Sequence, residues 1–261
     1  KDDGGNQKSK AVIEIKLHGR QFCFHKGFFL LCYNYTYETR YALMLENIDA
    51  VLFDLDGTLV DSMWIWKDID TAYLAGFGIP VPEGLQEDIG GMSFTEGAQY
   101  FKDRFGIPDT LEKIKEDWNR MAWDKYTHEV PLKRGAGEFV AYCRQKGIKM
   151  GIATSNSREL VENVMQVHGL SEYFDCIVTG CEVEKGKPSP DIYLEAARRC
   201  RVSPEKCLVF EDIVDGINAG RAAGMRTCAV DDNCSRTSEA EKKKLADYYI
   251  MDFSDIRREE G

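Results

Sequence analysis

Residues 51–59 read Val-Leu-Phe-Asp-Leu-Asp-Gly-Thr-Leu, an apolar run that stops on two carboxylates, Asp54 and Asp56, and then a glycine turn. A buried strand that delivers both acids at its end is costly, because like charges repel there. A bound cation offsets that cost, and chemistry on a phosphate is the natural work of such a site. Three more sets of reactive side chains fall at the ends of predicted strands. Thr154 sits in Ile152-Ala-Thr-Ser-Asn, Lys187 in Lys185-Gly-Lys-Pro-Ser-Pro-Asp, and Glu211 with Asp212 in Val209-Phe-Glu-Asp-Ile. Each has a plainer reading. Asp-x-Asp-Gly-Thr can close a strand as an Asx turn, and Thr154 and Ser155 can cap a helix. Lys187 can be an exposed loop lysine, and Glu211-Asp212 an acidic helix start. Jointly the four place several carboxylates, a hydroxyl and an ammonium at one sheet edge, which four unrelated roles do not explain.

The elements that must position these groups follow from hydrophobic periodicity. Strands are predicted at 50–53, 148–153, 176–179, 207–210 and 226–230, with 248–251 as an edge. Helices at 137–146, 157–168, 190–200 and 214–223 separate them. The alternation specifies a doubly wound parallel α/β sheet covered on both faces, whose ligands bind beyond the carboxyl ends of the strands. Residues 62–131 break the rhythm. They lack a strand and read as helices over 62–77, 93–105 and 110–127, divided by Pro80, Pro82, Gly90-Gly91 and Pro108.

Composition narrows the partners. The chain has 261 residues, 43% hydrophobic and 30% charged, as expected of a globular protein with ample length for a core. No apolar run approaches the ~20 residues of a membrane helix. The formal charge is −10, which disfavours nucleic acid and anionic membrane as partners. Residues 1–43 carry 7 Lys and Arg against 4 Asp and Glu, whereas the remainder carries 27 against 40. An anionic substrate entering so acidic a body needs a local cationic site. Nine cysteines show no Cys-x-x-Cys spacing, so reduced thiols and a cytoplasmic location are expected. Cys176 and Cys181 with His168 lack a fourth ligand for zinc.

The combination of Asp54-Leu-Asp-Gly-Thr, Thr154, Lys187 and Glu211-Asp212 resembles the haloacid dehalogenase-like hydrolases, and all four motifs of that superfamily are matched. The resemblance assigns residues 44–62 and 132–261 to a catalytic core and 63–131 to an inserted helical cap. That cap, with Asp215-Gly-Ile-Asn-Ala-Gly-Arg-Ala-Ala-Gly-Met, is similar to the β-phosphoglucomutase and small-phosphatase branch. Residues 1–43 are read as an extension that precedes the true start and carries no function: 1–10 polar and disordered, 11–41 with scope for a hairpin or an added edge strand.

The resemblance implies the following chemistry. Asp54, ionised at neutral pH from its reference pKa near 4, attacks phosphorus and forms an aspartyl-phosphate. Mg²⁺, held by Asp54, the Asp56 backbone carbonyl, Glu211 and Asp212, neutralises the site. Lys187 adds the second positive charge, Thr154 a hydrogen bond, and backbone N–H groups around Leu55, Ser155 and Asn156 complete a phosphate cradle. Asp56 is the general acid for the leaving alcohol and then the base for water. Haloacid dehalogenases themselves lack this second aspartate, since halide leaves without a proton. In the cap, Trp64 and Trp66, with Met63, offer a stacking surface for a sugar ring or base, or simply pack the cap.

β-Phosphoglucomutases carry a cap histidine where Trp66 stands and a cap arginine where Phe94 stands. Phe94 cannot hold a second phosphate, so a phosphatase of a small phosphomonoester is favoured over a mutase. The third reading, a non-catalytic binding domain, requires a missing nucleophile, acid or lysine, and none is missing. A monomer is expected.

Overall fold

The computed structural model describes residues 44–235 and 238–256, and the backbone of 14–17, 20–25 and 28–30. The latter form strands β1 (Glu14–Leu17), β2 (Arg20–His25) and β3 (Phe28–Leu30), a three-stranded antiparallel sheet of their own. The hairpin expectation therefore holds there, whereas the added-edge-strand alternative does not. The disorder expected for residues 1–10 lies outside the described residues.

Six parallel strands make the main sheet: β4 (Ala50–Phe53), β5 (Lys149–Thr154), β6 (Cys176–Thr179), β7 (Cys207–Glu211), β8 (Arg226–Val230) and β9 (Tyr248–Ile250). Their order is β6-β5-β4-β7-β8-β9. The first strand in sequence lies at the centre, and the chain winds outward from it to one side and then to the other. The reversal between β4 and β7 opens a crevice beyond their carboxyl ends, the place where such sheets bind ligands. Both sheet faces are buried, as the continuous apolar runs require. Val51 and Phe53 of β4 point into one core with α5 (Ala136–Gln145) and α6 (Arg158–Val167). Ala50 and Leu52 point into the other with α7 (Asp191–Cys200) and α8 (Val214–Ala222).

The interruption after β4 is helical, as its lack of strand periodicity predicts. It holds α1 (Met63–Ala75), α2 (Leu85–Ile89), α3 (Phe94–Phe105) and α4 (Leu111–His128). Two short helices escaped the periodicity, α2 and α9 (Glu239–Leu245), because one or two turns carry too few apolar positions to register. The insertion leaves and rejoins the sheet through paired segments: Val60 bridges Leu132, and Asp61 N–H donates to the Pro131 carbonyl at 3.0 Å. An aromatic cluster fills the insertion, with Phe101 edge-on to Trp118 at 5.0 Å and Trp118 edge-on to Phe94 at 5.4 Å.

Among the described residues no helix is long and apolar enough to cross a membrane. Seven cysteines there are free thiols. Cys176 meets Cys200, Sγ to Sγ 3.5 Å, rather than Cys181.

Candidate active site

β4 and β7 end side by side because Phe53 pairs with Phe210, and Asp54 N–H continues the ladder to the Phe210 carbonyl at 3.0 Å. That register sets Asp54 beside Glu211 and Asp212. Oxygens of the three carboxylates lie within 4.8 Å of one another, all buried. Lys187 reaches into the cluster, donating to Asp54 Oδ1 at 2.6 Å and to Glu211 Oε1. The ammonium is itself buried and lies 5.5 Å from the Tyr193 ring centroid.

Glu211 has every oxygen occupied. Oε1 accepts from Lys187 and from Tyr193 Oη at 2.6 Å, and Oε2 accepts from the Asp212 N–H at 3.1 Å. Asp212 differs. Its Oδ1 accepts from Thr58 Oγ1 at 3.0 Å, while its buried Oδ2 has no partner. Gly57 leaves the space over that oxygen: its φ is +79°, and a Cβ there would stand 2.3 Å from Asp212 Oδ2. Behind the cluster, the buried Lys242 donates to the Asp212 carbonyl at 2.9 Å.

The electrostatics revise one expectation. Asp54 is not at its reference value. Burial raises it to about 7, with Lys187 pulling the other way and Glu211 and Asp56 adding to the rise. Asp212 is raised well above the carboxylate range, chiefly by burial and then by the charges of Asp54 and Glu211. Lys187 is raised, because attraction to Asp54 and Glu211 outweighs a large burial penalty. One ammonium among three buried carboxylates is too little positive charge. An orphaned buried oxygen, hard oxygen donors and an excess of negative charge together fit a divalent cation.

Asp56 lies outside the buried triad and faces the helical insertion. Its Oδ2 accepts from Asn156 Nδ2 at 2.8 Å, and its Oδ1 from Ser62 Oγ, Tyr126 Oη and, at 3.4 Å, Trp66 Nε1. Thr154, buried at the end of β5, accepts the Asn156 N–H at 3.1 Å on its Oγ1, so its own proton remains for a phosphoryl oxygen. Asn156 thereby serves Asp56 through its side chain and Thr154 through its backbone. Leu55 is buried, and its carbonyl ties the turn by accepting the Leu59 N–H at 2.9 Å and the Val60 N–H at 3.0 Å.

The insertion is seated on this edge. Phe94 N–H donates to the Ser155 carbonyl at 3.0 Å, and Ser155 Oγ to the Gly91 carbonyl at 3.1 Å. Glu96 closes a capping box on Ser93 and also accepts the Gly186 N–H at 3.4 Å, one residue from Lys187. The sequence-predicted cap residues separate here. Trp66 is at the site, bonded to Tyr126 Oη at 3.0 Å. Phe94 packs edge-on against Trp66 at 5.8 Å and is only 8% exposed, so its ring belongs to the cap interior. Trp64 is on the outer surface, with its Nε1 on the Asp61 carbonyl and Lys125 over its ring at 5.0 Å.

Two contributors escaped the sequence, Tyr126 and Tyr193, whereas Thr58 closes the Asp54-Leu-Asp-Gly-Thr motif and Ser62 opens the first predicted cap helix. Ser62, just before α1, makes no cap bond and instead donates to Asp56. The two tyrosines read as apolar-stripe residues, and only their hydroxyls do more.

Comparisons with known proteins give the family and its fold. Residues 48–224 match the family model for haloacid dehalogenase-like hydrolases, and the chain belongs to that family. A phosphorylated carbohydrates phosphatase of Thermotoga maritima is 35% identical over 182 residues, 68% of this chain and 82% of that protein. A bifunctional riboflavin kinase/FMN phosphatase of Arabidopsis thaliana is 33% identical over 211 residues, 80% of this chain, which spans only 55% of that protein. Crystal structures of CbbY from Rhodobacter sphaeroides, one with phosphate and a mutant with xylulose-(1,5)bisphosphate, superpose with a TM-score of 0.71 at 27% identity, covering 79% of this chain and 95% of that one. The six-stranded sheet with its helical insertion is thus the family fold, the chain is a hydrolase of that family, and its relatives include phosphatases.

Proposed function

We propose that this protein is a Mg²⁺-dependent phosphomonoester hydrolase that acts on a small phosphorylated metabolite, a sugar phosphate, through an aspartyl-phosphate on Asp54. The observation that carries this reading is the buried Asp54–Lys187–Asp212 cluster with its unpartnered Asp212 Oδ2. Asp54, Asp212 and the Asp56 carbonyl are the donors for the ion, with Glu211 behind them anchoring Lys187. The ion supplies positive charge that keeps Asp54 ionised and lets a phosphate dianion approach it.

This chain's residues do the rest. Asp54 Oδ attacks phosphorus, and the ester oxygen departs with a proton from Asp56. Lys187 and the Thr154 hydroxyl bind phosphoryl oxygens where negative charge gathers. Asp56 then takes a proton from the water that cleaves the acyl phosphate, returning Asp54 and releasing phosphate. The seated cap keeps other water from that step.

Hydrolysis is favoured over mutase chemistry by what the cap presents. Phe94 is committed to the aromatic cluster, and four of the cap's cations face their own partners: Lys102 the Asp109 carbonyl, Lys113 and Arg120 the Asp117 carboxylate, Lys125 the Trp64 ring. The Thermotoga relative, a phosphorylated carbohydrates phosphatase, and the xylulose-(1,5)bisphosphate bound by the CbbY mutant support a sugar phosphate. A panel of sugar, polyol and glycerol phosphates, FMN and 4-nitrophenyl phosphate tests the proposal. Phosphate release with Mg²⁺, a loss of more than about 100-fold on chelation, and preference for a sugar or polyol phosphate are expected. Chelator-insensitive release contradicts the metal. Strict dependence on a sugar bisphosphate, with isomerisation instead of release, contradicts the hydrolase.

A further inference from the structure

Asp56 is held by donors from four places, and three of them belong to the cap or its junction. Ser62 lies where the chain enters the cap, Trp66 is on α1, and Tyr126 is on α4. Asn156, after β5, is the one core partner. Tyr126 is the node of this set. Its ring is fully buried and stands edge-on to Trp66 at 6.2 Å. Its hydroxyl donates to Asp56 Oδ1 and accepts from Asn156 Nδ2 at 3.0 Å and Trp66 Nε1 at 3.0 Å. A phenol has one proton and two lone pairs, so every valence of this oxygen is used and its direction is fixed.

Asp56 itself is only partly buried and sits on a turn, where a carboxyl group with two free torsions samples several rotamers. Proton transfer needs one of them, because a misplacement of ~1 Å costs about 100-fold. The donor that fixes the rotamer stands near the C-terminal end of α4, four residues before Val130, where the chain turns back to the core. The other end of the cap is meanwhile seated on Ser155 and Gly186. Cap and carboxyl are thus joined through the Tyr126 hydroxyl, with Ser62 and Trp66 donating beside it.

We propose that Tyr126 is a cap-borne positioning residue that holds the proton-transfer carboxyl of Asp56 in the one rotamer that can protonate the leaving oxygen. The inference rests on the phosphatase reading above. Tyr126 touches neither phosphorus nor the leaving oxygen and acts through Asp56. Burial, with the neighbouring Asp56 charge, pushes its phenol well above the ordinary tyrosine value, which keeps it a donor.

The dependence on leaving group separates this role from mere packing. An alkoxide must be protonated as it departs, whereas 4-nitrophenolate leaves without a proton. The test is the rate of phosphoenzyme formation, by rapid quench with Mg²⁺, for the fastest alkyl phosphate of the panel and for 4-nitrophenyl phosphate. In Tyr126→Phe the alkyl-to-aryl rate ratio is expected to fall by about 10- to 100-fold. Trp66→Phe, which removes a donor to the same hydroxyl but keeps an aromatic ring, is expected to shift the ratio the same way by a smaller factor, and decides the matter if the tyrosine variant does not fold. Equal losses on both substrates, or none, overturn the positioning role while leaving the hydrolase intact. A wild-type protein that releases phosphate from neither substrate overturns the hydrolase reading, and this inference with it.

Discussion

Asp212 shows most plainly what the site is built to hold. One of its oxygens is buried and unpartnered, and its carboxyl, like that of Asp54, is raised by burial. A carboxyl whose pKa is higher in the fold than in the unfolded chain binds its proton more tightly when folded. For Asp54 that contribution to the stability of the metal-free protein is fully present below about pH 4 and is lost as pH rises through about 7, and Asp212 acts in the same direction. Asp212→Asn removes one of the crowded charges while keeping an oxygen for Thr58. In chelator at pH 8 it is expected to melt about 3–6 °C above wild type, equivalent to about 1–2 kcal/mol, with the gap closing toward pH 4. A lower melting temperature at pH 8 contradicts the charge argument. At this scale the sequence was half legible. Asp54 and Glu211 stood out because apolar runs end on charge, and charge is costly there; Lys187 stood out only in their company, in Lys185-Gly-Lys-Pro-Ser-Pro. Tyr126 and Tyr193 did not, because their rings pack as any stripe aromatic does and only the hydroxyls reach the site.

Among the elements, α3 is where cap and core meet. Its first turn is a capping box, Ser93 with Glu96, and the same Glu96 carboxylate accepts the Gly186 N–H beside Lys187. Gly186 leaves room for it, since a Cβ there would lie 2.4 Å from Glu96 Oε2. Glu96→Ala therefore loses a cap worth about 1 kcal/mol and one anchor of closure. Its melting temperature is expected to fall by about 2–4 °C and its kcat/KM by about 3- to 10-fold, as thermal unfolding and steady-state kinetics would show. An unchanged kcat/KM contradicts the seating role of the bond. The helix was legible, since Ser93-x-x-Glu96 before Phe101 is a sequence-level start signal. Its second partner was not, because Gly186 is 90 residues away in the chain.

Across the whole molecule, a body of formal charge −10 collects four carboxylates at one sheet edge and sets one buried lysine among them. The doubly wound order brings β4 and β7 together at the point of reversal, and the helical insertion covers that edge. The doubly wound parallel class was legible from the alternation of elements, whereas the strand order was not. The extent of cap seating was not, since it depends on contacts between loops distant in sequence. The central claim is that Asp54 carries the phosphoryl group between substrate and water. Acid quench during turnover of a ³²P-labelled sugar phosphate, followed by peptide mapping, tests it most directly. The account predicts hydroxylamine-labile label on the peptide containing Asp54, dependent on Mg²⁺ and absent from Asp54→Asn. Turnover with no labelled enzyme, or label that survives that substitution, would contradict it.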